Sequence, residues 1–520
     1  METTSTRVKE GYVVDEPYTW SFFHFQSPPL LTYIARLNGV SARSPDTPFT
    51  YCELGCGNGV TSNLLADALP QGEFYAIDFN PEHIVNSQYF SKAGNLANVH
   101  FIESSFAKLL TSDLPTFDYI TLHGVYSWIS EERRQEILQF IDAFLKPGGL
   151  VYVSYNALPG WAELLPIWKI FHYYTAHLQT DSLNKARVGL KHLSYLRENH
   201  ASYFRSPEVT KYVDRLLARD LRYIAHEFCN DFFEPLYFSD VASDMTHIGL
   251  DYVGDAKVVN NHTDCVVSHR FKDHLNQAKN FMDHEVRTSF IRNDFFRRDI
   301  YCRGANFVSH SQRKELLDEL VVGSNALLSD IKTDVTLGRR ETSFSGPLYE
   351  ALIPLLVPGD TSIADICTYP QLKSFPKKDI MFSIHKLIAG GQFQSYAKKA
   401  STPAAIPQNR WRLTSSLNRS LLQERLFEDR KVYVGSAVLG SAVRLTMMRG
   451  LSLLALDAGS TDDAPNYMMR SLRNFPGCWP SALRKANEAT RLEWMKNEFN
   501  SFKQRWIPRL WRFGIIEPQS

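Results

Sequence analysis

The residues best placed to do chemistry lie in Tyr51–Gly59, reading YCELGCGNG, where an acid, Glu53, leads into three closely spaced glycines. Gly55, Gly57 and Gly59 permit a sharp turn from strand to helix and let a ligand reach the backbone without meeting side chains. Dinucleotide folds want G-x-G-x-x-G at such a turn, whereas this chain has Gly55-Cys56-Gly57-Asn58-Gly59. A second acid, Asp78, ends the apolar run Glu73–Ile77, and its two acceptor oxygens suit the vicinal diol of a ribose at a strand's carboxyl end. Two aromatic loops follow later apolar runs: His123-Gly124-Val125-Tyr126-Ser127-Trp128-Ile129 and Tyr155-Asn156-Ala157-Leu158-Pro159-Gly160-Trp161. Rings of this kind attract a charged or methylated amine by about 0.5–2 kcal/mol, and phenolic or amide groups can orient it.

These groups need a scaffold, and the pattern supplies one. An apolar strand ends at Glu53, the helix Val60–Leu69 follows, and a second strand ends at Asp78. The helix Pro81–Gly94 starts on a proline, whose missing N–H is no loss in a first turn. Strands follow at Val99–Ile102, Phe117–Leu122 (FDYITL) and, after Pro-Gly-Gly, in Lys146–Ser154 (KPGGLVYVS). Alternation of this kind predicts a mostly parallel sheet with helices on both faces and a ligand crevice at the strands' carboxyl ends.

The E-x-G-x-G-x-G turn, the acid after the second strand and this element order resemble a class I S-adenosylmethionine (SAM) methyltransferase. The likeness becomes narrower with D-E-P-Y at 15–18, the HGVYSW loop and SYNALPGW at 154–161. Together with YIAHEFCNDFFEPLYF at 223–238 and MDHEVRTSFIRNDFFRRDIYC at 282–302, these resemble the bacterial protein lysine methyltransferases that modify rickettsial outer membrane protein B, with their regulatory-domain relatives. The likeness covers about the first 300 residues well and the remainder loosely. It implies SAM as methyl donor, held by Tyr18, Glu53, Gly55, Gly57, Asn58, Asp78, Phe79, Ser105, Phe106, His123 and Gly124. It implies an acceptor site at Tyr126, Trp128, Tyr155 and Asn156, with Trp161 as a further flank. Ser105 departs from the pattern, since such enzymes often place an acid there for the adenine amine. The implied acceptor is a lysine of a protein substrate, a bacterial surface protein among the candidates; a small-molecule N- or O-methyltransferase and an inactive SAM-binding scaffold remain alternatives.

Composition bounds the rest. A chain of 520 residues should hold several domains. Lys+Arg 57 against Asp+Glu 56 leaves no global field for nucleic acid or an anionic membrane. Seven cysteines without a C-x-x-C pair point to reduced thiols and no metal site, and the first ten residues lack an apolar signal core, so a cytoplasmic protein is expected. The assembly stays open, a homodimer included. The expected fold is α/β: a class I SAM-methyltransferase Rossmann-like domain with additional mainly α-helical and winged-helix-like domains. Boundaries are expected at 1–44 (aromatic lead or lid), 45–162 (methyltransferase), 163–328 (helical middle or regulatory), 329–400 (winged-helix-like) and 401–520 (C-terminal). Arg292, Arg297, Arg298 and Arg303 are expected on a salt-bridged helix, with docking of an acidic strand as the alternative. The basic, tryptophan-bearing tail 484–512 reads as an amphipathic cover for the molecule.

Overall fold

The computed structural model describes residues 8–9, 11–16, 18–401, 410–459 and 463–519. Pro17 of the D-E-P-Y segment and the opening residues 1–7 lie outside them. Among the described residues no helix is long and apolar enough to cross a membrane.

An eight-stranded sheet organises the first 303 residues. Its main strands are β1 (Phe49–Leu54), β2 (Gly72–Asp78), β3 (Val99–Glu103), β4 (Phe117–Leu122), β5 (Leu145–Leu158), β6 (Leu250–Asp255) and β7 (Phe296–Arg303). Their spatial order is β3-β2-β1-β4-β5-β7-β6, parallel except that β7 runs antiparallel to both β5 and β6. Parallel strands covered on both faces read as continuous apolar runs, and FDYITL of β4 is buried at every position. One face packs Tyr51, Phe74, Tyr119 and Tyr152 into the main core. The other packs Leu54, Ile77, Ile120, Val151 and Val153.

Helices α1 (Val60–Ala68), α2 (Pro81–Ala93) and α3 (Glu131–Phe144) connect the strands. The Asn80 side chain caps α2 by accepting from Glu82 N–H, with Pro81 in the first turn. Ser130 caps α3 by accepting from Arg133 N–H. These caps satisfy amides that a helix start otherwise leaves without partners.

The expected boundary at residue 162 cuts through this sheet, because β6 and β7 come from well beyond it. Between β5 and β6 the chain leaves for a helical insert, Leu165–Thr175, Ser182–Glu198, Pro207–Leu217 and Leu221–Phe228. The insert has its own core, in which Trp161, Trp168 and Phe171 meet Val13 of the lead segment and Trp128 from the loop after β4. Of the four arginines expected on a salt-bridged helix, Arg292 ends the helix Phe281–Arg292 and pairs with Glu285 and Asp294, whereas Arg297, Arg298 and Arg303 are on β7. Arg297, wholly buried, donates to Asp299, Glu285 and Asp294 at 2.7, 2.9 and 2.6 Å. A buried guanidinium is tolerable only with such partners.

The helices Pro347–Leu356, Ile363–Ile366 and Lys377–Ala389 precede strand Phe393–Tyr396. That strand pairs backwards with Val321–Ser324. The C-terminal region lays the hairpin Lys431–Ser436/Ser441–Thr446 and helix Ser416–Asp429 against α1 and α2. Ser415 donates to Asp67, Tyr89 to Glu424, and Arg425 covers the Trp20 ring at 4.3 Å. In the tail, Met495, Phe499, Phe502 and Trp506 are buried, so it covers the molecule with an apolar face as expected.

Candidate cofactor and methyl-transfer site

The turn from β1 into α1 is built by backbone geometry. All three glycines have positive φ, +74°, +54° and +64°, a region in which only glycine is free of strain. Gly55 and Cys56 N–H both donate to Ile77 C=O, at 2.8 and 3.0 Å, which ties the turn to β2. A Cβ at Gly55 would come within 2.5 Å of Val125, and one at Gly59 within 2.3 Å of Ser87 Oγ; at Gly57 nothing lies within 4 Å. Gly57 therefore faces open space.

Asp78, at the end of β2, accepts from Gly57 N–H at 2.8 Å, Asn80 N–H at 2.9 Å and His83 Nδ1 at 3.2 Å. Burial alone would raise its carboxyl, but the neighbouring His83, with the two amides, holds it below the usual range. His83 Nε2 accepts the Tyr18 N–H at 3.2 Å, so its Nδ1 carries the proton given to Asp78. Glu53 is different. Its carboxylate accepts from Gln26 Nε2 at 2.9 Å and from Ser62 Oγ, yet burial pushes it up to about 7, against the pull of those bonds.

The lead segment closes over this turn. Tyr18 C=O accepts from Asn58 Nδ2 at 2.6 Å and Phe23 N–H donates to Thr61 Oγ1 at 3.2 Å. Phe23 stacks on His123 with ring centroids 4.0 Å apart, and Tyr18 meets His226 of the insert edge-on at 5.0 Å. At the end of β4, Gly124 N–H donates to Ser154 Oγ at 2.9 Å, and His123 Nδ1 lies 2.8 Å from Tyr152 OH. Burial, then the nearby Arg298 and His24, drive the His123 imidazole down to about 3, so it is uncharged at neutral pH.

Tyr18, Glu53, Gly55, Gly57, Asn58, Asp78, Phe79, Ser105, Phe106, His123 and Gly124, all expected at the cofactor, line a single cavity. Ser105 sits at the start of the short helix Phe106–Leu109 and makes no capping hydrogen bond. Of the expected acceptor residues, Trp128 alone lines the cavity. Tyr126 is fully buried and donates to Asp244 at 3.2 Å. Tyr155, also buried, donates to Asp299 at 2.5 Å. Asn156 pairs in register with Phe296 and donates its N–H to Ser127 Oγ at 3.0 Å. Tyr155 and Asn156 belong to the sheet and not to the cavity, because pairing with β7 carries β5 through Asn156, where a loop was expected, and Tyr126 packs into the same core from the loop after β4. Trp161 likewise packs in the insert, stacked on Phe295. His83, Gln26 and Ser62 were missed. His83, in the first turn of the helix after Asp78, was the one with a positional signal.

The residues present fit SAM: a glycine turn with open space at Gly57, an ionised acid at Asp78, and a buried acid at Glu53. When bound, SAM supplies an electrophilic methyl group on a sulfonium. Sheet order, turn and cavity define a class I SAM-dependent methyltransferase.

Comparison with known proteins makes the class more specific. Residues 46–196 match the model of a methyltransferase domain, and residues 220–303 that of a predicted methyltransferase regulatory domain. The chain is therefore a methyltransferase that carries this regulatory domain. The matched regulatory segment contains β6 and β7, so it completes the catalytic sheet. An uncharacterised protein of Synechocystis sp. is 29% identical over 509 residues, covering 97% of this chain and 99% of that one. A malonyl-[acyl-carrier protein] O-methyltransferase of Ilyobacter polytropus is 27% identical over 22% of this chain and 42% of its own. PKMT2 of Rickettsia typhi, solved in complex with AdoHcy, superposes with a TM-score of 0.73 over 96% of this chain and 100% of that one, at 18% identity. At that identity the likeness shows a shared fold, and it extends through the domains beyond the sheet.

Proposed function

We propose that this chain transfers methyl groups from SAM to lysine side chains of a protein substrate. The reading is carried by the far wall of the cavity, where Phe23, Trp128 and an uncharged His123 surround the space beyond the glycine turn. A lysine amine, with a reference pKa of about 10.4, is roughly one part in a thousand neutral near pH 7.4. The reacting form is the neutral one, and a desolvated, aromatic wall favours it over the ammonium. Backbone and aromatic groups then align it with the sulfonium methyl, and positioning supplies most of the acceleration. No general base is assigned.

In this reading Asp78 accepts from the ribose hydroxyls, Glu53 lies toward the amino-acid end of SAM, and Tyr18 closes the lead segment over it. Support also comes from the fold shared with PKMT2, by its name a protein lysine methyltransferase. The rival is a small-molecule methyltransferase, favoured by the partial match to the malonyl-[acyl-carrier protein] enzyme. Incubation with labelled SAM and a bacterial surface-protein extract, followed by mass spectrometry, separates them. Methyl-lysine is expected. SAM binding without any protein acceptor would move the assignment to a small molecule, and absence of SAM binding would leave a scaffold.

A further inference from the structure

Arg298 is the one arginine of the β7 cluster left without an acid. Arg292 and Arg297 share Glu285 and Asp294, and Arg303 pairs with Asp142. Among the described residues Arg298 forms no ion pair, and its Nε is buried without a hydrogen-bond partner. Its guanidinium lies 4.4 Å from the centre of the Phe25 ring, in the lead segment, and 4.6 Å from that of Phe296 on its own strand. Arg298 stands opposite Ser154 in the β5–β7 register. Ser154 Oγ in turn lies 3.2 Å from His123 Nδ1, at the cavity wall. An unpaired cation thus sits one residue behind the His123 side of the cavity wall.

We propose that Arg298 is a positioning residue for methyl transfer, a clamped cation that keeps His123 and an incoming amine uncharged at the acceptor end of the cavity. The inference rests on the amine-acceptor reading above. A fixed positive charge disfavours a second one nearby. The aromatic clamp holds Arg298 in place with cation–π contacts, so the effect needs no counter-ion that would cancel it. The groups around it agree. Arg298 ranks directly after burial among the causes that lower His123 and His24, to about 3 and about 4. Burial raises the Tyr152 phenol on β5; Arg298 and the Ser154 hydrogen bond oppose that rise, and Asp255 of β6 and Asp299 of β7 add to it. Asp299, however, is engaged by Arg297 and Tyr155, and Asp255 by Asn260 and Lys257 N–H. Neither acid pairs with Arg298.

The test is the pH dependence of kcat with saturating SAM and a methyl-accepting protein, since kcat reports ionisations in the bound complex. Arg298→Met keeps the packing length and removes the charge; Arg298→Lys keeps the charge and loses the planar fork. The acid limb of kcat should move upward by about one pH unit in Arg298→Met, with SAM affinity by calorimetry unchanged, and should return toward wild type in Arg298→Lys. Should Arg298→Met not fold, Arg298→Gln gives the same neutral comparison. An unmoved limb, or a limb displaced equally by Met and Lys, overturns the proposal while leaving lysine methylation intact. Loss of SAM binding in both neutral variants overturns it as well, since the residue would then be holding the cavity itself. Absence of methyl-lysine with the wild-type chain removes the amine-acceptor reading and this proposal together.

Discussion

Two acids at neighbouring strand ends sit in opposite electrostatic states, and the difference is testable. Asp78 is ionised and multiply bonded, so Asp78→Ala should weaken SAM binding by about 1–3 kcal/mol, the usual effect of removing a hydrogen-bonding charged group. Calorimetry checks this, and unchanged affinity would reject a cofactor role. Glu53 carries a carboxyl raised to about 7 from an ordinary 4.5. A group raised in the folded state stabilises fully below its unfolded value, and that contribution is lost as pH rises through the folded value. SAM-free protein should therefore lose about 2–3 kcal/mol between pH 5 and 8 from this group, and Glu53→Gln should flatten that part of the Tm–pH curve. A wild-type curve that does not differ from that of Glu53→Gln would show Glu53 to be ionised throughout. The nature of the target sets a third expectation. Methylation of lysine should rise between about pH 7 and 9 with the neutral amine fraction, and a flat profile counts against that acceptor.

At the scale of elements, the glycine turn separates folding from binding. Gly57→Ala adds a methyl group that meets nothing in the protein and incurs about 1–2 kcal/mol of left-handed strain. Gly59→Ala adds the same strain and drives the methyl into Ser87 and Phe101, at 2.3 and 2.7 Å, an overpacking of about 1–3 kcal/mol more. Thermal melts should therefore show the larger loss in Gly59→Ala, whereas SAM titration should show Gly57→Ala weakened at the smaller loss of stability. Equal losses of Tm would mean that Gly57 is not facing ligand space. The turn was legible because it combines residues that only a positive-φ backbone requires with an acid at each strand end. Tyr155 was expected on a loop that opens toward the acceptor, not on a strand. Which face of a strand a side chain takes depends on the partner strand, and the partner of β5 lies beyond a helical excursion that its own residues do not announce. The Phe-Arg-Arg-Asp run of β7 hid in the same way, since a cluster of arginines reads as a salt-bridged helix until Arg297 is seen buried in a strand against Glu285, Asp294 and Asp299.

Across the whole molecule, the C-terminal region is a structural part of the methyltransferase. Gly435 backs onto Leu64 of α1, Ser415 bonds Asp67, and Arg425 lies on Trp20 of the lead segment. A chain ended at residue 401 would bare the apolar side of α1 and α2, and exposed patches of that kind promote association. Size-exclusion chromatography and dye binding should show aggregation of this truncation; a monomer that binds SAM normally would show the region to be dispensable. The order of the first five strands and their connecting helices was readable from apolar periodicity and glycine breaks. The docking of one region on another was not, because surfaces that meet far along the chain share no local pattern.

The antiparallel strand β7, wedged between β5 and β6, also fixes when this protein can fold while it is being made. The ribosome delivers β1 to β5 early, but the outer edge of β5 has no partner until residues 296–303 emerge, after the whole helical excursion has been synthesised. A nascent chain paused within the insert therefore presents an open central strand, the kind of edge that recruits other chains. Force-sensing arrest sequences placed just before residue 296 and well after residue 303 should register a folding pull only at the later position. A strong pull at the earlier one would mean that the first five strands close on their own.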